Sequence, residues 1–194
     1  MPTEIIKSLN WIDILVGLIA VRIIYIGIKN GFVTELFKLL AVVSSIFISL
    51  HYYTKLADFL NEKIHLSLSV AEFIAFGSLW VIVMVVFKFL RDGFLMLLHI
   101  EAHSVLDRWG GLVLSVVRAL LLCSLTLLFL TVTGVEYFKK NIDKSLTGER
   151  LLSLSPKIYE VSFNGLVKKF FPDEEINGAA LDLRDSAVLE NDKK

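Results

Sequence analysis

The residues able to do chemistry in this sequence are few, and several sit in oily surroundings. Asp13, Arg22, Lys38, Glu72, Lys88 and Arg118 lie within or at the edges of apolar runs. An ionisable group in hydrocarbon is expensive, so it persists where it pairs, lines a wet path or reaches the surface. Lys38 and Lys88 stand close enough to the ends of their runs to snorkel. Arg118 stands about seven residues into its run, or ~10 Å at 1.5 Å per residue. A central arginine costs ~2.5–3.5 kcal/mol on insertion scales. Neighbouring leucines cover that cost during insertion, but the folded chain must still supply a partner or water. Asp13 and Glu72 are the carboxylates that other runs offer. Arg118 therefore marks either a clamp between helices or a polar pathway for an ion, proton or solute.

A second candidate is GIKNGFVTEL, Gly27 to Leu36, a polar knot between two apolar runs. A phosphate-cradling loop needs a strand before the glycines and a fuller G-x-x-x-x-G-K-[ST] pattern. Here an apolar helix precedes and Lys29 lies between the glycines, so a helical turn is the favoured reading. Gly27 or Gly31 can end a helix in a left-handed cap, and Glu35 suits the first turn of the next helix. Gly27 and Gly31 also form a G-x-x-x-G spacing that lets another helix approach closely. A third candidate, HIEAH at 99–103, puts two histidines four apart. The zinc-protease motif needs glutamate directly after the first histidine. Glu101 comes one place late and no third ligand is evident, so a wet interfacial loop is favoured over a metal site. No serine–histidine pair and no glycine-rich nucleotide motif stands out, and no cofactor is expected.

These residues need elements to hold them. Of 194 residues, 55% are hydrophobic, above the 45–50% usual for soluble domains, and the mean hydropathy is positive. The apolar residues gather in blocks of roughly 17–25, enough to cross ~30 Å of hydrocarbon. The expected fold is all-α and polytopic, with four transmembrane helices near residues 12–28, 36–53, 69–90 and 111–135. The first run lacks a small-x-small cleavage site and holds Asp13 and Arg22, so it reads as a retained helix rather than a signal peptide. Trp11, Tyr52, Tyr53 and Trp109 lie at span ends, where amphipathic rings settle. Ala41, Ser45 and Ser49, and likewise Ser115, Ala119 and Cys123, recur every four residues, which predicts close packing of spans two and four. The single cysteine, Cys123, cannot form an intrachain disulfide and reads as a small packing residue.

Residues 1–135 thus form a membrane domain. Residues 136–172 form a juxtamembrane segment with an amphipathic helix over 155–171, in which Tyr159, Phe163, Leu166, Val167 and Phe170 share a face. That helix either lies on the membrane surface or packs on the bundle. Phe94 to Ala102 could form an interfacial or re-entrant helix. Residues 173–194 read as a polar, disordered tail. Formal net charge is zero, which gives no reason to expect a nucleic-acid partner. Basic residues near span ends lean towards a cytoplasmic side holding residues 29–35 and 91–110, with both termini outside.

WIDI at 11–14, GIKNGFVTELFKLL at 27–40, HYY at 51–53 and LDRWGGLVLSVVRALLL at 106–122 resemble the colicin V production protein (CvpA) family. The family pattern has an Asp near the start of helix one, a G-x-x-x-G-(F)-x-x-E turn and an L-[ND]-R-x-x-G-x-x-x-G-x-x-R-G signature. This sequence departs with Ser115 and Ala119 at signature glycines and Lys29 where arginine is common; both replacements for glycine are small. The resemblance covers about residues 10–172 and implies a bacterial inner-membrane protein with four spans, linked to colicin V production or export and to envelope homeostasis. Carried over by position, its residues are Asp13, Gly27, Gly31, Glu35, Asp107, Arg108, Gly111 and Arg118, with Arg22, Lys29 and Glu72 as further polar candidates.

Two functions fit. One is a non-enzymatic scaffold or accessory factor in the bilayer, bound to a membrane or envelope protein. The other is a small channel or transporter with a path near Arg118 and Asp13, working as a homo-oligomer because four short helices leave little room for a pore. An enzyme comes third, for want of a nucleophile, metal or cofactor constellation.

Overall fold

The computed structural model describes residues 10–98 and 105–188. The HIEAH motif at 99–103 lies outside these residues, as does the end of the proposed 94–102 helix. Four helices are long and apolar enough to cross a membrane: α1 (Trp11–Asn30), α2 (Phe32–Ile64), α3 (Leu68–Leu98) and α4 (Val105–Val132). Short helices come next: α5 (Glu136–Asp143), α6 (Gly148–Leu152) and α7 (Leu154–Ser162), a π-helical turn (Phe163–Val167), α8 (Lys168–Phe170) and α9 (Gly178–Val188). The described residues contain no strand. The chain is an all-α, polytopic membrane protein, as the apolar blocks predict.

The helices outrun the apolar blocks. α2 has 33 residues, or ~50 Å at 1.5 Å per residue, against ~30 Å of hydrocarbon. Residues 54–64, expected in a loop, continue this helix, which ends at His65 in a left-handed conformation. Residues 94–98 likewise continue α3 rather than starting a new element. A polar stretch after an apolar one need not end a helix when its residues favour helix and a neighbour packs alongside.

α2 and α4 form the centre. Half of the apolar stretch of α4 is buried, against 11% for α1. α1 packs mainly on α4, and α3 mainly on α2. The outward faces of α1 and α3 carry Leu18, Val21, Val81 and Phe89, all strongly exposed. In a bilayer these face lipid, so their exposure carries no hydrophobic penalty. The bundle has a turn end, where α1 meets α2, and a cap end, where α5 to α9 pack over α2 and α4.

Part of the tail expected to be disordered, 173–194, is folded onto the cap as α9. Ala180 on α9 is fully buried, and Asn177 donates from Nδ2 to the Leu50 carbonyl at 2.8 Å. A polar segment can order by hydrogen bonding to a preformed helix end, without an apolar stripe of its own. α7 packs on the bundle: Tyr159 and Phe163 are buried, and the Ser155 hydroxyl sits 2.8 Å from that of Ser124. Of the expected shared face, Val167 still packs against the core but Phe170 does not. The π turn adds a residue to the helical repeat and so rotates the residues beyond it. Phe170 and Phe171 are consequently exposed beside Lys168 and Lys169. Tyr53, expected at headgroup level, is buried instead against Phe76, with ring centroids 5.9 Å apart.

Candidate functional site

Arg118 finds a carboxylate, and it is neither Asp13 nor Glu72. Its Nη2 lies 2.8 Å from Oε2 of Glu35. Glu35 is fully buried and Arg118 is 7% exposed. The sequence reading assigns Glu35 to the helix dipole, which its place in the first turn of α2 permits. Its larger role comes from the fold, because the turn at Gly31 sets this first turn against α4. The other oxygen of Glu35, Oε1, accepts from Lys38 Nζ at 3.0 Å and from Asn30 Nδ2 at 2.9 Å. Arg118 Nη2 also reaches the Ile23 carbonyl of α1 at 3.5 Å. One ion pair therefore ties α1, α2 and α4 together. Two charges taken from water need close pairing and further hydrogen bonds to offset desolvation; Glu35 has both, whereas Arg118 has the close pair but a buried Nε without a partner.

The glycines make that approach possible. α1 and α2 are separated by Gly31 alone, with φ +76°. A Cβ there would strike the Asp107 carboxylate, which accepts from the Phe32 backbone N–H at 2.7 Å. Asp107 thus caps α2 from the first turn of α4. A Cβ on Gly27 would overlap the Ser115 side chain, and one on Gly111 would meet the Gly27 carbonyl oxygen at 2.9 Å. The family-pattern positions Gly27, Gly31, Gly111 and Asp107 are therefore one contact between α1 and α4. This corrects the packing expected from the small-residue stripes: Ser115 and Cys123 face α1, Cys123 Sγ lying 3.7 Å from the Val16 carbonyl. Ala41, Ser45 and Ser49 are buried on α2 as expected.

The remaining candidates scatter. Asp13 lies at the cap end, ten residues or ~15 Å along α1 from Ile23. Its carboxylate accepts from Ser145 Oγ at 2.6 Å, Thr147 Oγ1 at 2.9 Å and the Asn10 backbone at 3.0 Å. It moors the segment between α5 and α6 to the start of α1. Glu72 is half-buried near the start of α3, also at the cap end. Arg22 and Arg108 are exposed. Lys29 is exposed too, and donates to the Tyr25 hydroxyl at 2.7 Å.

Sequence reasoning missed a second polar cluster. Buried His51 places Nδ1 2.9 Å from the Tyr159 hydroxyl and Nε2 3.1 Å from Glu174 Oε1. The Glu174 carboxylate can only accept, so Nε2 donates to it; in that neutral tautomer Nδ1 accepts from the Tyr159 hydroxyl, whose oxygen accepts from the Asn177 backbone at 2.9 Å. Burial pushes the Tyr159 phenol up from its usual value, which keeps it a donor. Hydrogen bonds from His51 and then Lys55 hold the Glu174 carboxyl below the usual glutamate range. The HYY motif was the available signal, but its partners lie more than a hundred residues away. Among the described residues no group of three or more His, Cys, Asp or Glu could hold a metal ion.

Beside the clamp lies a cleft of about 230 Å³ between α2 and α3, lined by Phe37, Lys38, Met84, Lys88, Arg91 and Arg118. It carries four cationic side chains on a largely apolar wall. No curated protein and no solved structure matches the chain. A family model described as colicin V production protein matches residues 12–156. That match takes in α1 to α4, the glycine contact, the Asp107 cap and the Glu35–Arg118 pair, and by it the chain belongs to the colicin V production protein family.

Proposed function

We propose that this chain is a non-enzymatic scaffold or accessory factor of the bacterial inner membrane that supports colicin V production or export, and with it envelope homeostasis. The observation that carries this reading is the closure of Arg118 by Glu35 at 2.8 Å inside the bundle. A charge consumed in holding helices together is not free to pass a solute. Asp13, the other candidate for a path, is engaged by Ser145 and Thr147 at the opposite end. The cap built by α5 to α9 offers a folded face for a membrane or envelope protein.

The test is to neutralise the clamp in colicin V-producing cells whose only copy of the family is this chain. Glu35→Gln alone leaves the buried Arg118 charge unpaired, at ~3–5 kcal/mol, and Arg118→Gln leaves buried Glu35 leaning on Lys38. Each single variant is expected to lose colicin V release. The double variant Glu35→Gln/Arg118→Gln removes both charges and is expected to recover most of it. A double variant that inserts normally, melts like the parent and still releases nothing would sink the clamp reading. A second reading, a small oligomeric transporter, is favoured by the cationic cleft that reaches Arg118. It predicts that the guanidinium itself is needed, so the double variant stays inactive.

A further inference from the structure

The cleft between α2 and α3 holds more positive charge than the fold uses. Lys38, Lys88, Arg91 and Arg118 line it. Glu35 engages Arg118 and Lys38, and Asp92 engages Arg91 at 2.6 Å. Among the described residues no carboxylate lies within ion-pair distance of Lys88. Among the described residues, four cations thus meet two carboxylates. Arg118, with 7% exposure, also keeps its buried Nε without a hydrogen-bond partner. A surplus of cations beside a low-dielectric wall attracts an anion more strongly than the same charges in open water. Arginine and lysine together suit a tetrahedral oxyanion: arginine offers a donor fork and lysine a mobile point charge.

The other lining residues decide what the anion is attached to. Phe37, Ala41, Met84 and Phe87 form an apolar wall in the same cleft. A small hydrated phosphate gains nothing from such a wall, whereas an acyl chain does. The depth agrees. Lys38 stands six residues from the start of α2, or ~9 Å along its axis from the turn end. Basic pockets between transmembrane helices at this level suit lipid headgroups. We infer that the α2–α3 cleft binds the phosphate headgroup of an anionic phospholipid, with Lys38, Lys88 and Arg91 at the phosphate and Phe37, Met84 and Phe87 along the chain.

The experiment uses the full chain in nanodiscs of zwitterionic phosphatidylcholine, titrated with a fluorescent phosphatidylglycerol whose emission is quenched on binding. The test variant is Lys88→Gln/Arg91→Gln, which leaves Glu35 and Arg118 in place. The control variant, Lys139→Gln/Lys140→Gln, removes as much charge at the cap end. Thermal melting checks that all three fold alike. The expected result is saturable binding by the parent and the control, weakened about tenfold or more in the test variant. Ten millimolar inorganic phosphate is expected not to compete. Equal binding by parent and test variant, or equal loss in the control, overturns the site. Competition by phosphate overturns the lipid as occupant and assigns the cleft to a soluble oxyanion. Colicin V release plays no part in the readout, so scaffold and lipid site stand or fall separately.

Discussion

Gly31 carries two constraints at once. Its φ of +76° suits glycine, and the Asp107 carboxylate fills the space where a Cβ would go. Gly31→Ala therefore strains the backbone by about 1–2 kcal/mol and also displaces the cap on α2. We expect a clear drop in melting temperature for the purified protein. Gly93→Ala, in a helix with open space around it, is expected to hold or gain slightly, since alanine favours helix by about 0.5–1 kcal/mol. Gly27 differs, because its constraint is the neighbour and not the backbone. Gly27→Ala overlaps Ser115, so Ser115→Gly should recover part of the lost stability. An additive result in that double-mutant cycle would argue against direct contact. The sequence made this pair half legible: the G-x-x-x-G spacing announced a close approach, while the Ser115 stripe was expected to meet span two and meets α1 instead.

Among the elements, the capping segment is held by a titratable tie. Glu174 titrates below the usual glutamate range because His51 and Lys55 donate to its charged form. Its contribution to docking residues 174–180 is complete above the unperturbed glutamate value and is lost as pH falls through the depressed one. A spin label at Gly178→Cys, in a Cys123→Ser background, should stay immobile at neutral pH and loosen only in acid. Glu174→Gln should remove most of that acid step. A label equally mobile at every pH would mean that α9 does not dock. This element was not legible in the sequence. PDEEINGAALDLRDSAV has no apolar stripe long enough to declare a helix, and its partners, Leu50, His51 and Thr54, sit over a hundred residues earlier.

On the scale of the whole molecule, the four spans were legible because lipid demands long apolar runs. Their ends were not, because α2 and α3 continue past the hydrocarbon as ordinary helix. The clamp was half legible: Arg118 declared its need, while Glu35 was masked by an equally good local role at a helix start. Four crossings put Trp11 and the cap on one side and the Gly31 turn on the other. The basic residues near the span ends give a testable orientation. A cysteine replacing Lys29, with Cys123→Ser, should be labelled by an impermeant thiol reagent only after permeabilisation. One replacing Lys139 should be labelled without permeabilising the membrane that the four helices cross.

The aromatic cluster between α3 and α4 pins one end of the bundle. Phe73, Phe76 and Trp80 of α3 all pack on Phe129, with ring centroids 4.4, 6.0 and 5.8 Å away, and this fixes α3 at the cap end. At the turn end the other three helices are knotted by the ion pair and the glycine contact. There α3 meets α2 across the cleft, with Phe94 against Phe37 at 4.9 Å. One jaw of the cleft is therefore tied to α1 and α4, while the other, α3, is held by its packing along α2 and by Phe129. A ligand bridging Lys38 and Lys88 would act as a strut between α2 and α3, beside the point where Phe37 and Phe94 already meet.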